Sequence, residues 1–282
     1  MNKNYIVNEI KKSLGEDYEV KFNTVQKNNV TKEAISIKKD GSDVAANIYY
    51  DKNADDDKII CSVIDTYKST QNDDTQEITD CVNNIKDWDW VKTRVVPVMF
   101  NTEMNDASSF TTRKFIGDIG VSFRIMFKGA SVKVLDRMLD SWGVDVDTLY
   151  EVAKENLNNK LFVGNMSSIL FGLQFGDDSM KKRRVKHIDE PMGVIGTTDK
   201  MYGASAILLI PDLIKNGELE KKNYIVIPSS IHECILVEDG MRNDINGMIR
   251  MVNANEVAPE EVLSDSGLIY NADTEEFEVI AA

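Results

Sequence analysis

The sequence predicts an α+β fold with mixed, partly antiparallel sheets and packed helices. Three observations lead there. Short segments near the N-terminus alternate apolar and polar side chains, as half-buried strands do. The middle of the chain repeats apolar residues at helical spacing. In the last third the two patterns follow one another over short distances, a mixture typical of α+β domains. Hydrophobic residues make up 42% of the 282 and charged residues 28%, so a packed core is expected.

The elements follow in order. Tyr5, Ile6, Val7, Ile10 and Leu14 fall mostly on one helical stripe, and Gly15 is placed to stop that helix. Tyr18-Glu-Val-Lys-Phe22, Ala34-Ile-Ser-Ile37 and Val44-Ala-Ala-Asn-Ile-Tyr-Tyr50 read as strands, and Asp40-Gly41 supplies the turn that folds the last two into a hairpin. A helix is predicted from Lys58 to Lys68, then a polar surface loop from Ser69 to Gln76. Leu135, Met138, Leu139 and Trp142 form a second stripe ended by Gly143. Thr148 and Glu151 have capping-box spacing ahead of Leu149, Val152, Ala153 and Leu157. Ala204 to Leu209 is an apolar run, Pro211 to Leu219 reads as helix, and Tyr224–Ile227 and Ile231–Val237 read as strands around Pro228-Ser-Ser. Ile245, Met248, Ile249 and Val252 predict a packed helix, and Gly267–Tyr270 with Glu276–Ile280 a terminal hairpin.

Charge divides the chain into thirds. Residues 1–90, an N-terminal α+β region, carry 12 basic and 18 acidic groups. Residues 91–186, a basic and mainly helical middle, carry 15 and 11; residues 187–282, an acidic α+β region, carry 6 and 18. All three could equally form one domain. The net charge of −14 disfavours direct binding to nucleic acid or to an anionic membrane. Lys181-Lys-Arg-Arg-Val-Lys186 reads either as a phosphate-binding patch or, more simply, as a solvated segment paired with the acidic third. No apolar run approaches the roughly 20 residues of a bilayer span. The first residues lack the apolar core of a signal peptide. Cys61, Cys81 and Cys234 are odd in number and far apart. Reduced thiols in a cytoplasmic protein are therefore expected.

Three segments stand out, Met201-Tyr-Gly-Ala-Ser-Ala-Ile-Leu-Leu-Ile-Pro211, Ile227-Pro-Ser-Ser-Ile-His-Glu233, and Val252-Asn-Ala-Asn-Glu-Val-Ala-Pro-Glu-Glu-Val-Leu-Ser-Asp265. They resemble a family of uncharacterised bacterial proteins, domain-of-unknown-function family 5688. Val91-Lys-Thr-Arg94, Asp118 to Arg124 and Trp142-Gly-Val144 echo it more weakly. The resemblance implies a cytosolic protein of Gram-positive gut bacteria, or of their mobile elements and phages. It implies no particular activity.

The one segment with the look of a site is Pro228-Ser-Ser-Ile-His-Glu233. In a catalytic reading Ser229 or Ser230, His232 and Glu233 would serve acid–base or nucleophilic chemistry, with Asp199 or Asp265 orienting the imidazole. On a strand His232 and Glu233 point to opposite faces while Ser230 and His232 share one. No Gly-x-Ser-x-Gly elbow frames either serine. The plainer reading makes Pro-Ser-Ser a turn and His232 a sheet residue hydrogen-bonding across the ladder. No metal and no cofactor is expected, because His and Cys are few and unclustered, no glycine-rich loop is present, and Asp55-Asp-Asp57 lacks calcium-loop offsets. Trp88-Asp-Trp90 and Phe123-Arg-Ile-Met-Phe127, with Arg94 and Arg124, could stack nucleobases, but aromatics at that spacing more often build core. Met241, Met248 and Met251 suit irregular cores and adaptable binding faces alike. The sequence therefore favours a non-catalytic protein that binds another protein. An acidic inhibitor of a bacterial defence or nucleic-acid-binding protein, and a hydrolase using Ser230 and His232, stand as alternatives.

Overall fold

The computed structural model describes residues 1–42, 45–70, 75–127, 130–175, 188, 190–238, 240 and 244–281. The chain forms two compact units, Met1–Ile85 and Lys86–Ala282. Their helices and wholly antiparallel sheets make an α+β fold. Among the described residues no helix is long and apolar enough to cross a membrane.

In the first unit, helix α1 (Lys3–Leu14) precedes a three-stranded meander, β1 (Tyr18–Gln26), β2 (Thr31–Lys39) and β3 (Ala45–Tyr49). Helices α2 (Asp56–Thr70) and α3 (Thr75–Asn84) follow. Ile6 and Ile10 of α1 and Ile59, Val63 and Tyr67 of α2 bury against Val20, Ile35, Ile37 and Ile48 of the meander. Of the predicted stripe Ile6 and Ile10 are buried and Val7 and Leu14 pack beside them, while Tyr5 is exposed. Gly15 ends α1 at φ +120°, its N–H donating to the Lys11 carbonyl. Gly41, at φ +77°, turns the chain between β2 and β3. Part of the loop expected over Ser69–Gln76 lies outside the described residues, and α3 begins at Thr75.

The second unit opens with a short helix, α4 (Trp88–Val91), and a four-stranded sheet of β4 (Val95–Asn101), β5 (Thr112–Ile116), β6 (Ile119–Phe127) and β7 (Ala130–Lys133). β6 is the hub, pairing with β4 on one side and with β5 and β7 on the other. All seven residues of β4 are buried, so the strand shows no alternation. Pro97 is tolerated because β4 is an edge strand.

Helices α5 (Asp136–Trp142) and α6 (Val146–Asn158) follow, α5 ending at Gly143 in the left-handed region, φ +67°. The capping box placed at Thr148 and Glu151 is corrected here. Asp145 caps α6, its Oδ1 accepting from the Thr148 N–H at 2.7 Å, so Thr148 supplies the donor rather than the cap.

A six-stranded sheet in the order β13-β12-β10-β11-β9-β8 completes the unit. Its strands are β8 (Leu161–Asn165), β9 (Met192–Thr197), β10 (Tyr224–Pro228), β11 (Glu233–Glu238), β12 (Leu268–Asn271) and β13 (Glu276–Val279). Helix α7 (Met166–Phe175) leaves β8, and the basic run 181–186 lies outside the described residues. The apolar run at 204 is a fully buried 3₁₀ segment, Gly203–Leu209, continuing into α8 (Ile210–Lys215), shorter than the predicted helix. Buried Ser205 donates no strand pairing of its own, but its hydroxyl accepts the Met99 N–H at 3.1 Å and so covers the edge of β4. Helix α9 (Ile245–Asn255) packs Ile245 and Ile249 against Ile225, Ile227 and Val237.

Candidate functional site

The segment 228–233 takes its shape from donors that leave the sheet. The Ile231 N–H donates to the Glu261 carbonyl at 2.8 Å, and the His232 N–H to Ser230 Oγ at 3.0 Å. With both donors diverted, β11 begins at Glu233 rather than at Ile231 as the pattern predicts. His232 therefore lies in a turn, and strand alternation does not govern where its ring points. Glu233, the first strand residue, is exposed and sits opposite Gly196. Ser229 is half-buried at the end of β10.

The imidazole does bond to a neighbour, but to a loop rather than across the ladder. Its Nδ1 accepts the Tyr202 N–H at 3.2 Å, and the two rings stack with centroids 5.9 Å apart. A ring nitrogen that accepts an N–H carries no proton, which puts the proton of the neutral ring on Nε2. Nε2 faces Glu261 Oε1 at 3.8 Å, beyond direct hydrogen-bond range. Neither Ser230 nor the acids proposed from the sequence takes that place. Ser230 Oγ is engaged with backbone, Asp199 binds Lys160 Nζ at 3.0 Å and the Met201 N–H, and Asp265 accepts from Asn253 Nδ2 at 2.8 Å.

The loop that His232 holds is bent at two non-glycine residues. Lys200 (φ +58°) and Tyr202 (φ +55°) are both left-handed, a conformation costing roughly 1 kcal/mol each. Thr197 Oγ1 donates to the Met201 carbonyl, and the Tyr202 ring packs on Val96, Val98 and Met126 with the Arg124 guanidinium 5.2 Å from its centroid. Gly203 then passes so close to the His232 carbonyl that only a hydrogen fits.

Other candidates from the sequence have structural occupations. Phe123 is core, Trp88 lies 5.7 Å from Trp142, and Arg94 covers the face of Trp90 at 4.3 Å. Asp55 Oδ1 accepts the Lys58 N–H at the start of α2, Asp56 accepts the Asn2 N–H, and Asp57 accepts the Tyr5 hydroxyl. The Lys58 N–H, and then its ammonium, hold the Asp55 carboxyl below the usual carboxylate range. Burial pushes the Cys234 thiol far above the ordinary thiol range, which leaves it inert as a nucleophile. Among the described residues no group of three or more His, Cys, Asp and Glu side chains could hold a metal ion.

A second feature was not visible in the sequence. An open groove of about 670 Å³ runs between residues 101–104, the 117–118 turn, α9 and residues 262–266. A polar network forms its floor. Asn101, buried, donates to Asp118 Oδ2 at 2.7 Å and to the Leu263 carbonyl, while its own Oδ1 accepts the Glu103 and Met104 N–H groups. Buried Ser264 donates to Asp118 Oδ1 at 2.8 Å, and Asn253 of α9 donates to the Ser264 carbonyl.

The model of the Family of unknown function (DUF5688) matches residues 2–272. The chain belongs to that family. No curated protein and no solved structure matches it. In this DUF5688 chain the segments that carry the sequence resemblance meet at two places. Residues 201–211 and 227–233 close on each other at Gly203 and His232, and 118–124 meets 252–265 through Asp118 and Ser264.

Proposed function

We propose that this DUF5688 chain is a non-catalytic, cytoplasmic protein of a bacterium, or of its mobile element or phage, that works by binding another protein. One observation carries the reading. Helix α9 buries Ile245 and Ile249 but leaves Met248 46%, Met251 62% and Val252 37% exposed. These three stand at i, i+3 and i+4 and so form one continuous apolar face, unlike the single exposed hydrophobics of an ordinary surface. Methionine in such a face adapts to the shape of a partner. The sequence pattern assigned Met248 and Val252 to the buried stripe, and both are exposed.

Two further observations support a binding role over a hydrolase. Both imidazole nitrogens of His232 already face groups of the fold, and the Ser230 hydroxyl accepts from backbone. A serine nucleophile instead requires its hydroxyl on the imidazole. The acidic-inhibitor reading is the special case in which the partner is a basic nucleic-acid-binding protein, and the −12 charge of residues 187–282 favours it. The test is a photo-crosslinking amino acid placed at 251, at 248 and, as control, at Lys215 of α8, in host cells. Adducts of one mass from 251 and 248 but not from 215 are expected. Adducts equally abundant at all three positions, or at none, would overturn the proposal.

A further inference from the structure

We propose that the groove beside α9 receives a basic segment of the protein partner, seating lysine or arginine side chains on Asp118, Asp265 and Glu103 and the flanking apolar side chains on Met104, Val262 and Val279. The inference rests on the binding role given to α9, whose Arg250, Asn253 and Ala254 form one wall of the groove.

Charge sets the sign of the guest. Among the described residues lining the groove, three carboxylates face one guanidinium, Arg250. No ion pair joins Asp118, Asp265 or Glu103 to another described residue. Asp118 is the fixed point. Each of its oxygens accepts one bond from a neutral donor, Ser264 Oγ or Asn101 Nδ2, so its position is set while its charge stays uncompensated. A carboxylate oxygen accepts two bonds, which leaves each a lone pair for a guest. Placing such a group before the guest arrives removes the ordering cost that a mobile side chain would add. Its two donors are themselves held, Ser264 by full burial and Asn101 by four further bonds.

The lining sets the class of the guest. Among the described residues no group of three or more His, Cys, Asp and Glu side chains could hold a metal ion. Carboxylates and apolar side chains lining one groove suit an extended segment that carries both cationic and apolar side chains. Met104 and Val279 are exposed on the groove walls and supply those apolar contacts. Anionic partners, including nucleic acid, are repelled.

The experiment is fluorescence anisotropy of the full chain with a fluorescein-labelled Arg-Leu-Arg-Leu-Arg-Leu peptide. The wild type is expected to bind it, less tightly as salt rises, and to ignore the Glu-Leu counterpart. The Glu103→Gln/Asp265→Asn pair should weaken binding by about tenfold, and Met104→Lys, which puts a cation into the groove, by at least as much. Glu151→Gln/Glu155→Gln, an equal charge change on exposed residues of α6, should leave it within about twofold. All these side chains but that of Met104 are exposed carboxylates, and Met104 is itself exposed, so folding is preserved. No binding by the wild type, equal weakening by both carboxylate pairs, or equal binding of the Glu-Leu peptide would overturn the proposal. Crosslinks from position 251 that persist alongside any of those results would remove the groove assignment and keep the binding role. Loss of both would remove both.

Discussion

Replacing Gly203 with alanine tests how the two family segments are fitted together. A Cβ at 203 would stand 2.3 Å from the His232 carbonyl oxygen, 2.6 Å from the Thr197 nitrogen and 2.9 Å from the Gly196 Cα. All three are main-chain atoms, one in the 228–233 turn and two in β9, so no side chain can rotate away. Carbon contacts settle near 3.5–4.0 Å. The substitution therefore needs a main-chain shift on the order of 1 Å between neighbouring parts of the six-stranded sheet. Overpacking a core costs about 1–3 kcal/mol, and a clash confined to backbone belongs at or above the upper end. For a unit of roughly 200 residues, 3 kcal/mol lowers Tm by about 6–12 °C. All three tryptophans, Trp88, Trp90 and Trp142, belong to the second unit, so thermal and urea unfolding followed by tryptophan fluorescence reads that unit alone. Gly143→Ala is the control. Nothing lies within 4 Å of its Cβ, and its φ of +67° makes the cost conformational, about 1 kcal/mol. Gly203→Ala melting within 2 °C of wild type, or above Gly143→Ala, would refute the packing argument.

Two further outcomes follow from the same region. His232→Ala removes the acceptor of the Tyr202 N–H and the ring stacked on Tyr202, and because the side chain is about a third exposed, water can replace part of the loss. A stability loss of about 1 kcal/mol is expected in urea unfolding, and an unchanged midpoint would remove the positioning role given to the imidazole. Burial opposes ionisation of Asp199, but the hydrogen bond and charge of Lys160, with the hydrogen bonds of the Met201 N–H and Thr197, together outweigh it and hold the carboxyl below its usual range. A carboxyl lowered on folding stabilises the protein fully above its unfolded value, about pH 4, and loses that contribution as pH falls toward the folded value. The stability difference between wild type and Asp199→Asn should therefore shrink as pH falls below about 4; a difference that stays constant down to pH 3 would contradict the assignment.

The sequence by itself determined the elements whose cause is local. Ile6 and Ile10 repeat at helical spacing, Asp40-Gly41 turns a hairpin, Gly143 ends α5, and Asn271 to Thr274 joins the last two strands. Each rests on residues within a few positions of one another, where periodicity and turn chemistry act. The family, too, was legible, because segments such as 227–233 can be matched without knowing where they pack.

Tertiary structure alone decided the rest. β4 gave no alternating pattern because both its faces are covered. The cap of α6 passed from Thr148 to Asp145 once the position of a single donor was fixed. Most of the candidate site falls in this class. His232 and Tyr202 are 30 residues apart, and Asp118 and Ser264 are 146 apart. Which side chain meets which backbone N–H over such distances depends on how the sheets close, and a one-dimensional pattern holds no record of that. The exposure of Met248 and Val252 has the same origin, since an apolar stripe reads alike whether or not the fold supplies something to cover it.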